Sequence, residues 1–306
     1  MRKTFKPAVW TLFLFTIALL GLALGACQAN ALTASEQTLK FDGQRAYQDV
    51  EQQLAFGPRL PGSPAHTQWI EWATAELGHY GWQVELQEGQ VSGHPVRNLV
   101  AQRGETGPWI ILGAHYDSRQ VADKDPNPRL RQQPVPGAND GASGVAVLME
   151  LARTLPQNDS GRVWLVFFDA EDQGNIPGWD WILGSQYFAQ QLQEQPDAVV
   201  VIDMIGDKDL NIYQEKNSNA GLTTEIWNVA AELGYAHNFI PEYKYAILDD
   251  HLPFLQKGIP AVDLIDFDYP SWHTTQDTAD KVSPQSLQAV GDTLWEWIHQ
   301  RNNWQN

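Results

Sequence analysis

Two kinds of apolar pattern alternate along this chain. Short runs that are apolar at successive positions read as strands: "NLVAQR" at 98–103, "WIILGAHYD" at 109–117, "VWLVFFD" at 163–169, "AVVVIDMI" at 198–205 and "IPAVDLID" at 259–266. Several are apolar at every step, as in a sheet covered on both sides. Between and around them apolar residues recur at three- and four-residue steps, which predicts helices over 44–54, 68–80, 141–155, 185–192, 222–233, 251–257 and 283–299. In the last of these, Leu287, Val290, Leu294 and Trp297 form one stripe. A Gly/Pro loop, "FGPRLPGSP", separates the first two helices. The alternation predicts an α/β domain with a mostly parallel central sheet covered by helices on both faces. No internal repeat and no second domain are expected.

The start of the chain departs from this pattern. Arg2, Lys3 and Lys6 precede an apolar stretch from Ala8 to Ala26 that closes with "LGAC". This reads as a lipoprotein signal peptide over 1–27, cleaved before Cys27 so that the thiol carries lipid. An uncleaved membrane anchor is the alternative, and either reading exports the domain and tethers it, facing the extracytoplasmic side. "QANALTASEQT" then serves as a spacer within 28–40, ahead of the α/β domain over 41–302. Cys27 is the only cysteine, so the exported part has no disulfide, no thiolate nucleophile and no thiolate metal site. A formal net charge of −17 argues against nucleic acid as a partner.

In open α/β sheets ligands bind outside the carboxyl ends of the strands. In this sequence those ends carry His115 and Asp117, then Asp169, Glu171 and Asp172, then Asp203 and Asp207. A long loop brings Asp140 to the start of a helix, and "LDDHLPF" and "SWHTTQDT" supply Asp249, Asp250, His251, Trp272 and His273. Each has an ordinary reading alone: Asp140 as a helix cap, Asp169 to Asp172 as a solvated loop, Asp117 and Asp203 as turn residues, His273 as a satisfied turn histidine. Together they would repel one another unless a cation sat among them. Asp, Glu and His without Cys is a donor set suited to catalytic zinc.

The blocks "GAHYDS", "PGANDGASGVAVLMELAR", "FFDAED", "DMIG", "DDHLPFLQKGIPAV" and "WHTTQDT" resemble, in order and spacing, the zinc-dependent aminopeptidases of the bacterial leucyl aminopeptidase type. They also resemble the relatives of those enzymes, the glutaminyl-peptide cyclotransferases, the branch to which the chain is more similar. The resemblance implies a twisted mixed sheet and zinc held by Asp140, Asp172 and His273, with Glu171 as general acid/base. It implies a second ion, if there is one, on His115 and Asp203 with Asp140 bridging, and Asp117 orienting His115. One ion is expected, and the ligand set allows two. The implied substrates are peptide or protein N-termini, and a monomer is expected.

The two branches would use such a site differently. An aminopeptidase activates water; a cyclotransferase lets the α-amine of an N-terminal Gln attack its own side-chain amide, releasing ammonia. Three features resemble the cyclotransferases: the second Asp of "DDH", which puts Asp249 where that branch holds substrate, Trp272 beside His273, and the insertion "QGNIPGWDWIL". Three others depart from them: Asp172 where Glu is usual, Asp263 where animal cyclotransferases carry His, and the wording "HTTQDT", common in aminopeptidases. A cyclotransferase is expected, with a zinc aminopeptidase as the alternative. A catalytically dead exported binding domain would be marked by loss of Glu171 or of a ligand, and none is lost.

Overall fold

The computed structural model describes Met1, residues 39–156 and residues 161–303. The expected signal peptide after Met1 and the expected spacer through residue 38 lie outside these. No helix among the described residues is long and apolar enough to cross a membrane.

The apolar runs become strands β3 (Trp109–His115), β4 (Arg162–Phe168), β5 (Ala198–Asp203) and β8 (Ala261–Ile265), joined in one sheet by β1 (Gln83–Val91) and β2 (His94–Arg103). The sheet has six strands in the order β1-β2-β4-β3-β5-β8. β4, β3, β5 and β8 run parallel, while β1 and β2 are antiparallel, so the sheet is mixed as expected. β1 was not anticipated. Its sequence, "QVELQEGQV", has only three apolar side chains in nine residues and no fully buried one, as an edge strand allows. A separate pair, β6 (Ile212–Gln214) and β7 (Phe239–Tyr243), was also unforeseen; at three and five residues these strands are too short to show a period.

Alternation along β3 explains the layers. Ile110, Leu112 and Ala114 enter one buried cluster with the helices α1 (Gly43–Ala55), α2 (Pro64–His79), α3 (Ala142–Thr154), α5 (Ala220–Glu232) and α7 (Pro284–Asn303). Trp109 and Ile111 face the other side, with Phe188 of α4 (Leu183–Gln191) and Phe254 of α6 (Leu252–Gln256). Local chemistry starts the helices. Asp42 accepts from the backbone N–H of Gln44 and Arg45 at the head of α1, and Ser63 caps α2 with Pro64 in its first turn. His251 stands at the N-cap position of α6 rather than within it, with no capping bond from its side chain.

Parallel β3, β4 and β5 all end on the same edge of the sheet. Whatever follows them in sequence is therefore delivered to one place.

Candidate active site

His115 closes β3, and its Nε2 lies 3.1 Å from Asp140 Oδ1 and 3.1 Å from Asp203 Oδ1. Across from it, His273 Nε2 is 2.9 Å from Asp172 Oδ1 and 3.8 Å from Asp140 Oδ2. Two groups of donors thus converge, His115 with Asp140 and Asp203, and Asp140 with Asp172 and His273, the donor atoms of each lying within 4.8 Å of one another. Asp140 belongs to both. All five residues are buried, with the Asp203 side chain slightly the most open.

The ordinary readings of these residues fail on geometry. Asp140 is not the cap of α3: that position is Gly141, at φ +97°, and no side chain caps the helix. The Asp140 backbone is instead gripped by Asp277, whose carboxylate accepts from the N–H of Asn139 (2.9 Å) and of Asp140 (3.2 Å) and from the Tyr269 hydroxyl (2.6 Å). Asn139 in turn accepts from Gly206 N–H and donates to the Met204 carbonyl, which joins this turn to the loop after β5. Ala170, Met204 and His273 all have positive φ, and each belongs to the donor cluster or stands within two residues of a member of it. Non-glycine residues held in that region cost about 1–3 kcal/mol each and cluster at functional sites.

Asp117 sits behind the cluster. Its carboxylate accepts from the backbone N–H of Glu171 (3.0 Å) and Asp172 (3.3 Å) and from Gln173 Nε2 (2.8 Å), and lies 3.4 Å from His115 Nδ1. These bonds, led by His115 and opposing the effect of burial, hold its pKa below the usual carboxylate value.

A cavity of about 270 Å³ opens beside the donors, and Glu171, Asp249 and Trp272 all line it. The Trp272 ring is 3.8 Å from that of His273. Burial pushes Glu171 well above the ordinary carboxylate range; the charge of His115 opposes this, while Asp249, Asp172 and Asp250 add to it. Burial also raises Asp263 strongly, with Asp249, Asp203 and Glu215 contributing. His251 lies behind these carboxylates, 3.3 Å from Glu215 and 3.8 Å from Asp263.

Two acidic residues grouped with the site in the sequence lie elsewhere. Asp169 is turned toward His66 (2.8 Å to Nε2) and accepts from Arg97 N–H (2.8 Å), because the positive φ of Ala170 reverses the chain before Glu171. Asp207 pairs with Val282 in an isolated bridge. Conversely, the sequence did not single out Arg59, Arg119 or Asp123. Arg59 binds the carbonyls of Tyr116, Pro136 and Gly137, which ties the Gly/Pro loop to the turn carrying Asp140. Arg119 contacts Asp172, and Asp123 contacts His273. Their only signal was four-residue spacing within a charged loop.

The residues fit a divalent cation. Asp140 Oδ2 and Asp172 Oδ2 are buried without a hydrogen-bond partner, and carboxylates and imidazoles from five separate segments face one another. Such a set is stable only when a positive charge is shared among its members.

The sequence profile of peptidase family M28 matches residues 98–298. Among curated proteins, a glutaminyl-peptide cyclotransferase of Boiga irregularis is 26% identical, covering 79% of this chain and 76% of its own. Among solved structures, Porphyromonas gingivalis glutaminyl cyclase superposes with a TM-score of 0.81 at 33% identity, over 85% of this chain and 98% of the other. A Zn-dependent exopeptidase from Parabacteroides distasonis gives 0.80 at 31% identity, over 85% and 99%.

Proposed function

From the premise that the chain belongs to peptidase family M28, we propose that it is a zinc-dependent glutaminyl-peptide cyclotransferase. It would convert the N-terminal Gln of a peptide to pyroglutamate and release ammonia. The observation that carries the reading is that Glu171, Asp249 and Trp272 line one cavity against the donor cluster. A second carboxylate beside the general acid/base is unnecessary for water attack but suits the holding of a substrate amide.

Asp140, Asp172 and His273 would hold the ion. When bound, zinc withdraws electron density from a carbonyl oxygen and opens its carbon to attack. The chain's own groups do the rest. Asp249 accepts a hydrogen bond from the substrate nitrogen and fixes the amide, and Trp272 supplies a flat wall for the aliphatic part of the Gln side chain. The α-amine nitrogen then bonds to the side-chain carbonyl carbon. Glu171 takes the proton that this nitrogen loses and returns it to the departing NH2, so that the carbon–nitrogen bond breaks and ammonia leaves. Ring closure within one bound molecule makes positioning a large part of the rate. Burial, then the surrounding carboxylates, push Glu171 upward, the direction that suits a group that takes up a proton and gives it back.

A zinc aminopeptidase is the second reading, because His115, Asp140 and Asp203 form a complete second group of donors. Incubation with a Gln-initiated peptide and with leucyl-anilide, following ammonia and aniline separately, tests the two. Ammonia alone is expected; aniline alone would overturn the cyclotransferase. We further propose that the domain is exported and held to the membrane by lipid on Cys27, as a monomer acting on peptide N-termini.

A further inference from the structure

We infer that Arg119 and Asp123 form a brace that positions two of the zinc ligands, Asp172 and His273, and ties them to the wall of the substrate cavity. This rests on the zinc site proposed above.

Arg119 is almost completely buried, in the loop after β3, and its guanidinium uses all three nitrogens. Nη1 donates to the Asp172 carbonyl (3.0 Å) and to Asp172 Oδ1 (3.3 Å), Nη2 donates to the Gly174 carbonyl (3.0 Å), and Nε donates to Asp123 Oδ1 (2.7 Å). That same Asp123 oxygen lies 3.5 Å from His273 Nδ1, a buried nitrogen with no hydrogen bond of its own. The ring of Trp181 closes the circuit. It stacks on His273 with centroids 6.0 Å apart and planes 16° apart, and the Arg119 guanidinium lies 5.1 Å from its centroid. A Cβ on Gly174 would overlap this indole, so the position has room only for glycine. Trp181 lines the cavity.

The arrangement answers two needs. A ligating imidazole needs its other nitrogen held by an acceptor, or the ring can rotate away from the metal; Asp123 is placed to do this for His273. Asp172 has a side chain one methylene shorter than Glu and can reach a shared ion only if its backbone is fixed close to the cluster. Arg119 fixes it by gripping the carbonyl and the carboxylate of one residue, using the planar fork that lysine lacks. Because Arg119 is bonded to Asp123 as well, the two ligands are set by one group.

The test measures zinc alone, by competition with a chromophoric chelator, on the full domain with its fold checked by melting in excess chelator. Asp123→Ala, at a partly exposed side chain, should keep the wild-type melt and weaken zinc binding 10- to 100-fold, the usual effect of losing such a partner. Asp123→Asn should weaken it less and shift the visible absorption bands of the cobalt(II)-substituted protein, which report ligand geometry. Arg119→Lys should weaken zinc more than Asp123→Asn does. A wild type that binds zinc while Asp123→Ala binds it equally well would overturn the brace and leave the zinc site standing. A wild type that binds no zinc would overturn both.

Discussion

Stripping the metal should make the domain less stable as pH rises from about 5 to 9, and zinc should reverse the trend. In the metal-free chain, burial and the charge of Asp140 push Asp172 up to about 6. Burial, against the opposing pull of His115, pushes Asp203 up to about 7. Burial alone would lower His273, but Asp172, Asp123 and Asp140 raise it to about 9. All three folded values lie above those of an unfolded chain, near 3.9 for Asp and 6.5 for His. The folded state therefore keeps protons that the unfolded chain has released. Stability is fully present below the unfolded values and is lost as pH climbs through the folded ones. At about 1.4 kcal/mol per pKa unit, the part of this loss that falls above pH 5 is on the order of 1 kcal/mol for Asp172, complete by about pH 6, and 3 kcal/mol for Asp203, complete by about pH 7, a sizeable share of a domain's total stability of about 5–15 kcal/mol. Zinc requires ionised carboxylates and neutral imidazoles, so its affinity increases over the same interval. The assay is a series of melts between pH 5 and 9 at fixed ionic strength, in chelator and in excess zinc. Asp266, pushed up to about 7 mainly by burial, affects both series alike, whereas Asp277, raised to about 7 by burial and then by Asp140, responds together with the donors, so the gap reports the cluster rather than the domain at large. A gap that stays constant or narrows toward pH 8 would refute the reasoning.

Glu171→Gln should leave zinc content unchanged while turnover falls about 100- to 10,000-fold, the usual worth of a general acid/base; retained wild-type turnover would mean that the base is elsewhere. Asp249→Ala should abolish ammonia release from Gln-initiated peptides with zinc still bound, as elemental analysis beside a product assay would show. Gly141→Ala should destabilise the domain by more than about 1 kcal/mol in a denaturant melt, because Gly141 has φ +97° and a Cβ there would stand 2.7 Å from the Asp117 carbonyl oxygen. Cys27→Ala should block processing and lipid attachment, read from the mass of the mature chain.

The buried strands were legible because a parallel sheet covered on both faces leaves uninterrupted apolar runs. β1 was not, because half of an edge strand is polar. Ligand candidates at the ends of β3 and β5 were legible for a topological reason: parallel strands deliver their ends to one edge, so His115 and Asp203 could be grouped without knowing any distance. The same reasoning misplaced Asp169, since a positive φ at Ala170 cannot be read from an alanine. It passed over Arg59, Arg119, Asp123 and the grip of Asp277 on Asp140. Those side chains act through loop closure between residues far apart in sequence, and a charged loop looks the same in sequence whether its charges face water or a buried site.

The grip of Asp117 bears on how such a domain can change its trade. One carboxylate braces His115 on one side and the backbone of Glu171 and Asp172 on the other, so the two halves of the cluster are a single architectural unit. Altering His115 would then disturb the seat of Glu171 and Asp172 whether or not a second ion is bound. On the function proposed above, the choice between cleaving an N-terminus and cyclising it would rest with the cavity wall, at positions 249 and 272, while the strand ends beneath stay as they were.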